Sequence, residues 1–140
     1  MQISRDFTIG IHTLLCIAFF QGEKKITSEF IASSVGVNPV IIRRILQKLK
    51  SANLIEVKAG TGGANLLKSE KQISLYEIYF ALECNRRDLI NFHENPNQNC
   101  PVGKSIHQVL DGRFSELTKT FETKLKSMKL SDLLSDLKKF

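Results

Sequence analysis

Three features of the 140-residue chain predict a mostly α fold with a small β-hairpin wing, a winged helix-turn-helix plus a long C-terminal dimerisation helix. Two short helical segments, Ser28–Ser34 and Asn38–Ser51, flank a glycine turn. A glycine-rich hairpin signal follows them directly. An apolar stripe then recurs at intervals of three and four from Val102 to Met128, long enough to call for a partner helix.

Each element has a local reason. Ser4 can cap a first helix that runs to about Phe20, with Asp6 favourable in its first turn. Its expected apolar face is Ile3, Phe7, Ile11, Leu14, Leu15, Ala18 and Phe19. Thr27 caps the second helix, with Phe30 and Ile31 facing inward. Gly36, within Val35-Gly36-Val37, can take the left-handed conformation that a sharp reversal needs. Asn38 caps the third helix, and Pro39 at its first position misses no hydrogen bond. Ile42, Ile45, Leu46 and Leu49 form one buried face, which leaves Val40, Arg43, Arg44, Gln47, Lys48 and Lys50 on the other. Asn53 ends this helix. Strand-like runs Leu54–Lys58 and Asn65–Lys68 enclose Ala59-Gly60-Thr61-Gly62-Gly63-Ala64. Ser74 caps a short helix, Leu75–Cys84, with Ile78, Ala81 and Leu82 inward. Asn85–Asn99 reads as a loop, the long helix begins near Pro101, and Ser131 caps a last piece, Asp132–Lys138.

Composition bounds the function. Twenty lysines and arginines oppose 14 acids, a formal charge of +6 that suits a polyanion. The excess is concentrated: residues 1–72 carry 10 basic and 5 acidic side chains, residues 73–140 carry 10 and 9. The most apolar stretch, Leu14–Phe20, has seven residues, far short of the roughly 20 that cross a bilayer. Met1–Asp6 lacks the basic start of a signal peptide. Cys16, Cys84 and Cys100 are an odd count at wide spacing, which argues for a reducing cytoplasm over a disulfide framework. No nucleophile elbow, HExxH or phosphate-binding loop points to an enzyme.

The constellation that remains is one for DNA. A helix fits the major groove when a second helix buttresses it. Arg43 and Arg44 can offer paired donors to guanine, and Gln47 can pair with adenine. Lys48, Lys50 and the helix starts at Ser28, Asn38, Pro39 and Val40 suit phosphates and adjacent base edges. Gly60, Thr61, Gly62 and Gly63 would let the hairpin backbone approach the duplex, with Lys58 adding charge. Residues 1–72 are thus read as the DNA-binding domain. Residues 73–140 are read as a helical linker and dimerisation region that packs with the first helix. Its expected interface is Val102, Ile106, Leu110, Phe114, Leu117, Phe121 and Leu125.

From about Thr27 to Glu83 the chain resembles the Rrf-two (BadM-type) family of bacterial winged-helix transcription regulators. The likeness rests on Ile31-Ala32, Gly36-Val37, Ile42, Ile45-Leu46, Leu49, Leu54-Ile55, Gly60-Thr61-Gly62-Gly63, Leu66-Leu67 and Ile73-Ser74-Leu75. The first and last long helices fit as well. The resemblance implies a homodimer whose long helices cross and pack with the N-terminal helices to present two recognition helices to a partly palindromic operator; the output expected of the chain is repression. Ala59 stands where the family commonly has arginine, Asn65 where it has tyrosine, and Arg43 where an acid is frequent. Many members hold an iron–sulfur cluster on three cysteines at six-residue intervals. Cys100 resembles the third, but Glu94 and Asp88 occupy the earlier positions and Gly103 follows, so no cofactor is expected. Cys84, His93, Cys100 and His107 are too irregularly spaced for a zinc set.

Cys16 reads as a core thiol, and His12 as a core or interface histidine. Cys100, next to Pro101 at a helix start, is the candidate redox thiol. Two alternatives stay open: a winged-helix interaction module that regulates a partner enzyme, and a redox or metal sensor built on Cys100. No residue set specifies a protein or small-molecule effector.

Overall fold

Local capping fixes where the helices of the computed structural model begin. It describes residues 3–59, 63–83 and 89–140. Helix α1 (Arg5–Phe19) starts where Ser4 Oγ accepts the Asp6 N–H at 3.0 Å. Helix α2 (Ser28–Val35) starts where Thr27 Oγ1 accepts the Phe30 N–H at 3.1 Å. In helix α3 (Pro39–Ser51), Asn38 Oδ1 accepts the Val40 N–H at 2.9 Å. Each cap satisfies a donor that the helix itself cannot.

Gly36 closes α2 at φ +84°, and the N–H groups of Gly36 and Val37 both reach back to the Ala32 carbonyl. This left-handed cap turns the chain sharply into α3. The expected buried face of α3 is the one observed: Ile42, Ile45, Leu46 and Leu49 are buried among α1, α2 and α4. Asn53, at φ +60°, ends the helix as expected and lets the Leu54 N–H bond the Leu49 carbonyl.

The hairpin is antiparallel, with β1 (Ile55–Lys58) facing β2 (Gly63–Leu66) in the register Ile55↔Leu66 and Lys58↔Gly63. The second strand therefore begins two residues before the expected Asn65. The Ala64 N–H donates to the Ile26 carbonyl, so the residue before Thr27 docks on the hairpin. A Cβ on Gly63 would lie 2.8 Å from that carbonyl, and Gly63 itself sits at φ +64°. Gly63 is thus buried against its own chain instead of standing at an open tip.

Helix α4 (Leu75–Glu83) begins with a capping box: Ser74 Oγ accepts the Glu77 N–H at 3.2 Å, and Glu77 Oε2 accepts the Ser74 N–H at 2.9 Å. Cys84, at its expected end, lies outside the described residues. Residues 70–75 also hold the C-terminal segment. The Leu75 N–H donates to Met128, the Leu130 N–H to Ile73 and the Ser131 N–H to Glu70.

Helix α5 (Pro101–Ser127) is followed by α6 (Leu130–Leu137). Ser131 is not the cap of α6. The helix starts two residues before the expected Asp132, at Leu130, with Lys129 as its cap residue and the Asp132 carboxylate accepting the Lys129 N–H at 2.9 Å. Leu130 is fully buried, which pulls the first turn toward the core.

The core is continuous across both halves of the chain, from Leu14 and Ile31 through Ile73 and Ile78 to Leu125 and Leu130. Helix α1 lies at its centre and touches α2, α3, α4, α6 and β2. Contact on several sides buries Ile9 and Ile17, which the expected one-sided face omitted, and Cys16 is buried as a core thiol should be. Ile11 and Leu15 are only partly covered, and Phe19 is exposed.

The stripe on α5 divides. Leu125 is buried in the core of its own chain, and Phe121 meets Tyr79 edge-on with centroids 5.6 Å apart. Leu125 is therefore not an interface residue, because α4 covers the last turns of α5. Val102 and Leu117 remain more than half exposed, and Ile106, Leu110 and Phe114 are half-buried.

Two measurements test these local devices. A Cβ at the left-handed Gly36 is strained, so Gly36→Ala lowers the unfolding free energy by about 1–2 kcal/mol in urea titration. An unchanged midpoint would show that the turn relaxes freely. Burial opposes ionisation of Glu77, but hydrogen bonds from Lys68 and Ser74 outweigh it and its pKa is lowered. A lowered folded-state pKa stabilises above the unfolded value of about 4.3 and is lost below it. The stability gap between wild type and Glu77→Gln is therefore present at neutral pH and shrinks as the pH falls from neutral through the carboxylate range. A gap constant across that range would exclude the ion pair as its source.

Candidate nucleic-acid interface

Burying one face of α3 leaves the opposite face outward by helix geometry alone. Val40, Arg43, Arg44, Gln47 and Lys50 are exposed, and Lys48 is half-buried. The outward row thus holds every expected α3 side chain. Pro39 is half-buried at the first turn, and Asn38, though exposed, spends its side chain on the cap.

The outward face is laced to its neighbours by two acids. Arg43 Nη2 donates to Glu29 Oε1 at 2.7 Å, and both side chains are more than half exposed. Glu29 lies in the first turn of α2, where its own backbone N–H and then Arg43 lower its pKa and keep it ionised. Arg44 grips Asp6 as a fork, with Nη1–Oδ2 at 2.6 Å and Nη2–Oδ1 at 3.1 Å. Lys48 Nζ stands 3.8 Å from the same Oδ2. Asp6, expected only to favour the helix dipole, is buried at 7% exposure. Sequence reading missed both pairings. They join residues 14 and 38 positions apart, on helices whose relative placement no local pattern encodes.

Between the start of α2, the side of α3 and the hairpin lies a notch of about 300 Å³. Thr27, Ser28, Arg43, Gln47, Lys50 and Gly63 line it. In the first turn of α2 the Phe30 N–H is taken by Thr27 Oγ1 and the Glu29 N–H by its own carboxylate, so it is the helix dipole and the Arg43 and Lys50 cations that favour an anion at this border. Lys58 ends β1 with its side chain exposed, 3.8 Å from Glu56. Gly60, Thr61 and Gly62 lie outside the described residues.

The remaining singled-out residues lie elsewhere. His12 Nε2 and the Cys16 thiol both meet Ser34 Oγ, at 2.9 and 3.5 Å. Cys100 precedes α5, where the backbone N–H groups of Gly103 and then Val102 lower its pKa. His107 Nε2 lies 3.0 Å from the His93 carbonyl oxygen. Among the described residues, no three of His, Cys, Asp and Glu converge as metal ligands. Cys84 and Asp88 are outside that set. No described helix is long and apolar enough to cross a membrane.

A family model described as Rrf2, iron-dependent transcriptional regulator, matches residues 3–136. The chain is 39% identical to a candidate HTH-type transcriptional regulator, YwnA of Bacillus subtilis (strain 168), over 136 residues that make up 97% of this chain and 99% of that protein. It superposes with a TM-score of 0.72 and 34% identity on the crystal structure of a candidate DNA-binding protein, covering 92% of this chain and 98% of that one. CymR, the global cysteine regulator of B. subtilis, shares the fold, with a TM-score of 0.70, 20% identity and coverage of 96% and 97%. The helix-turn-helix, the hairpin and the long helix after them are those of a winged-helix regulator, and this chain belongs to the Rrf2 family of transcriptional regulators.

Proposed function

We propose that this DNA-binding transcriptional regulator inserts α3 into the major groove, pairs as a homodimer through α5, and represses by occupying promoter DNA. The observation that carries the reading is the outward face of α3, where Arg43, Gln47 and Lys50 stand beside the start of α2 and the hairpin. Arg43 and Gln47 have the donor geometry for base edges, and Lys50 and the α2 N-terminus suit flanking phosphates. Arg43 can leave Glu29 for a base because both side chains already lie in solvent. Blocking a promoter requires no surface beyond these.

The dimer reading is supported by two apolar surfaces that the described residues leave partly open, although Phe92 stacks on Phe114 of the first at 5.5 Å between centroids. One is the α5 segment of Val102, Ile106, Leu110, Phe114 and Leu117. The other is a groove of about 560 Å³ beside α1, bordered by Ile11, Leu15, Phe19, Leu137 and Phe140. A second copy's long helix would cover both, and exposed apolar rows of this length are otherwise unfavourable in water. A two-fold pair would set its recognition helices about 34–36 Å apart along the duplex. The protein would act in the bacterial cytoplasm, where its DNA is.

The same reading needs no iron–sulfur cluster. Of the three positions that carry cluster cysteines in related proteins, this chain keeps a thiol only at Cys100. Regulation is then by another signal.

Selection of genomic fragments by the purified protein, followed by transcription from a retained promoter, tests the whole reading. It predicts a partly palindromic motif and loss of transcript. Fragments with no shared motif would contradict it, and a rise in transcript would overturn repression. Two variants test its parts. Arg43→Ala weakens binding to the selected site by about 1–3 kcal/mol and leaves random duplex nearly unchanged. Equal losses on both would place Arg43 on phosphate. Leu117→Asp converts dimer to monomer in light scattering and keeps the helical circular dichroism. A dimer that persists would move the interface elsewhere.

A further inference from the structure

The two cations at the α1 side of the recognition helix are held differently from the rest. Arg44 and Lys48 are four residues apart, so they stack on one helical row. Both face the same carboxylate, Asp6, which is buried on the first turn of α1 and itself fixed by the Ser4 cap. The two cations nevertheless keep 46% and 36% of their side-chain surface in solvent. The site therefore points outward with two positive charges and one negative charge beneath them.

Hydrogen-bond capacity shows what such a site can still do. A guanidinium has five N–H donors and an ammonium three. The fork to Asp6 uses one N–H on each terminal nitrogen of Arg44. The donors left over sit on a planar group whose orientation the fork fixes, beside the Lys48 ammonium. Glu29 does not do this for Arg43, because it is exposed and meets the guanidinium through one nitrogen only.

We propose that Asp6 is a specificity-determining positioning residue for DNA binding. It holds Arg44 and Lys48 as a clamp for one backbone phosphate beside the major groove, and by cancelling one charge it weakens their grip on non-operator duplex. The proposal rests on α3 being the DNA-reading helix. Non-specific affinity scales with the number of phosphates neutralised and with their released counterions. An unopposed Arg44–Lys48 pair would hold any duplex more tightly, whereas a pre-aimed pair rewards only DNA whose phosphate stands in register with the bases read by Arg43 and Gln47.

Asp6→Asn tests this in the full chain, since it keeps the shape and one acceptor and strands no buried cation. The probes are a duplex fragment retained by the wild type and a shuffled duplex of equal composition, titrated across salt. For Asp6→Asn, binding to the shuffled duplex tightens severalfold, the salt dependence steepens by about one unit, and the preference for the retained fragment falls roughly tenfold. Arg44→Lys keeps the charge but not the fork. It holds shuffled-duplex affinity within about twofold and loses roughly tenfold on the retained fragment. A merely structural Asp6 would weaken both duplexes in proportion, with preference and salt dependence unchanged, and that result overturns the proposal. Should Asp6→Asn fail to fold, Arg44→Lys decides alone, and an unchanged preference overturns the clamp. A wild type that prefers no duplex would refute the reading of α3 beneath it instead.

Discussion

Burial of one apolar row on α3 is the constraint on which the rest depends. Ile42, Ile45 and Leu49 are fully buried and Leu46 nearly so. Each such side chain contributes roughly 1.5–3 kcal/mol relative to exposure. A rotation of α3 that brought Arg43 or Arg44 inward would forfeit that burial and desolvate a charge as well. The rotational setting of the helix is thus fixed from inside, and the chemistry on the outside follows. Gly36 sets the angle at which α3 leaves α2, and the Asn38 cap sets where it begins.

The outward charges are organised as well as exposed. Glu29 on α2 and Asp6 on α1 each take one arginine, so the recognition helix is tied to both neighbouring helices through the residues it presents. The two ties differ in burial. The Glu29 pair lies in solvent, where such pairs contribute little and exchange readily for another anion. The Asp6 carboxylate is enclosed and bonded at two nitrogens, which orients the guanidinium. One helix face therefore offers a movable cation and a fixed one. The segment 70–75 is bonded to residues 128–131, which ties the start of α4 to the end of α5.

Much of this was legible in the sequence because its signals are local. The caps at Ser4, Thr27, Asn38 and Ser74, the glycine turn and the period of α3 all operate within a few residues. What the sequence hid depends on distant neighbours. The single-face reading of α1 missed Ile9 and Ile17 because other elements surround that helix. Gly63 reads as a loop-tip glycine until Ile26 is seen beside it. Leu125 continues the stripe of α5 in period but belongs to its own chain's core, because α4 lies there. Asp6 carries the plainest lesson: a first-turn acid has an adequate local role, and nothing in its surroundings along the chain announces Arg44.

The central claim is that the outward side of α3 meets base edges. Side-chain NMR of nitrogen-labelled protein tests it directly, by following the arginine Nε–H and Gln47 amide signals as a selected duplex is added. The account predicts that Arg43 and Gln47 shift at stoichiometric DNA while Arg113, on the exposed part of α5, stays in place. Movement of Arg113 with Arg43 and Gln47 unchanged would contradict it.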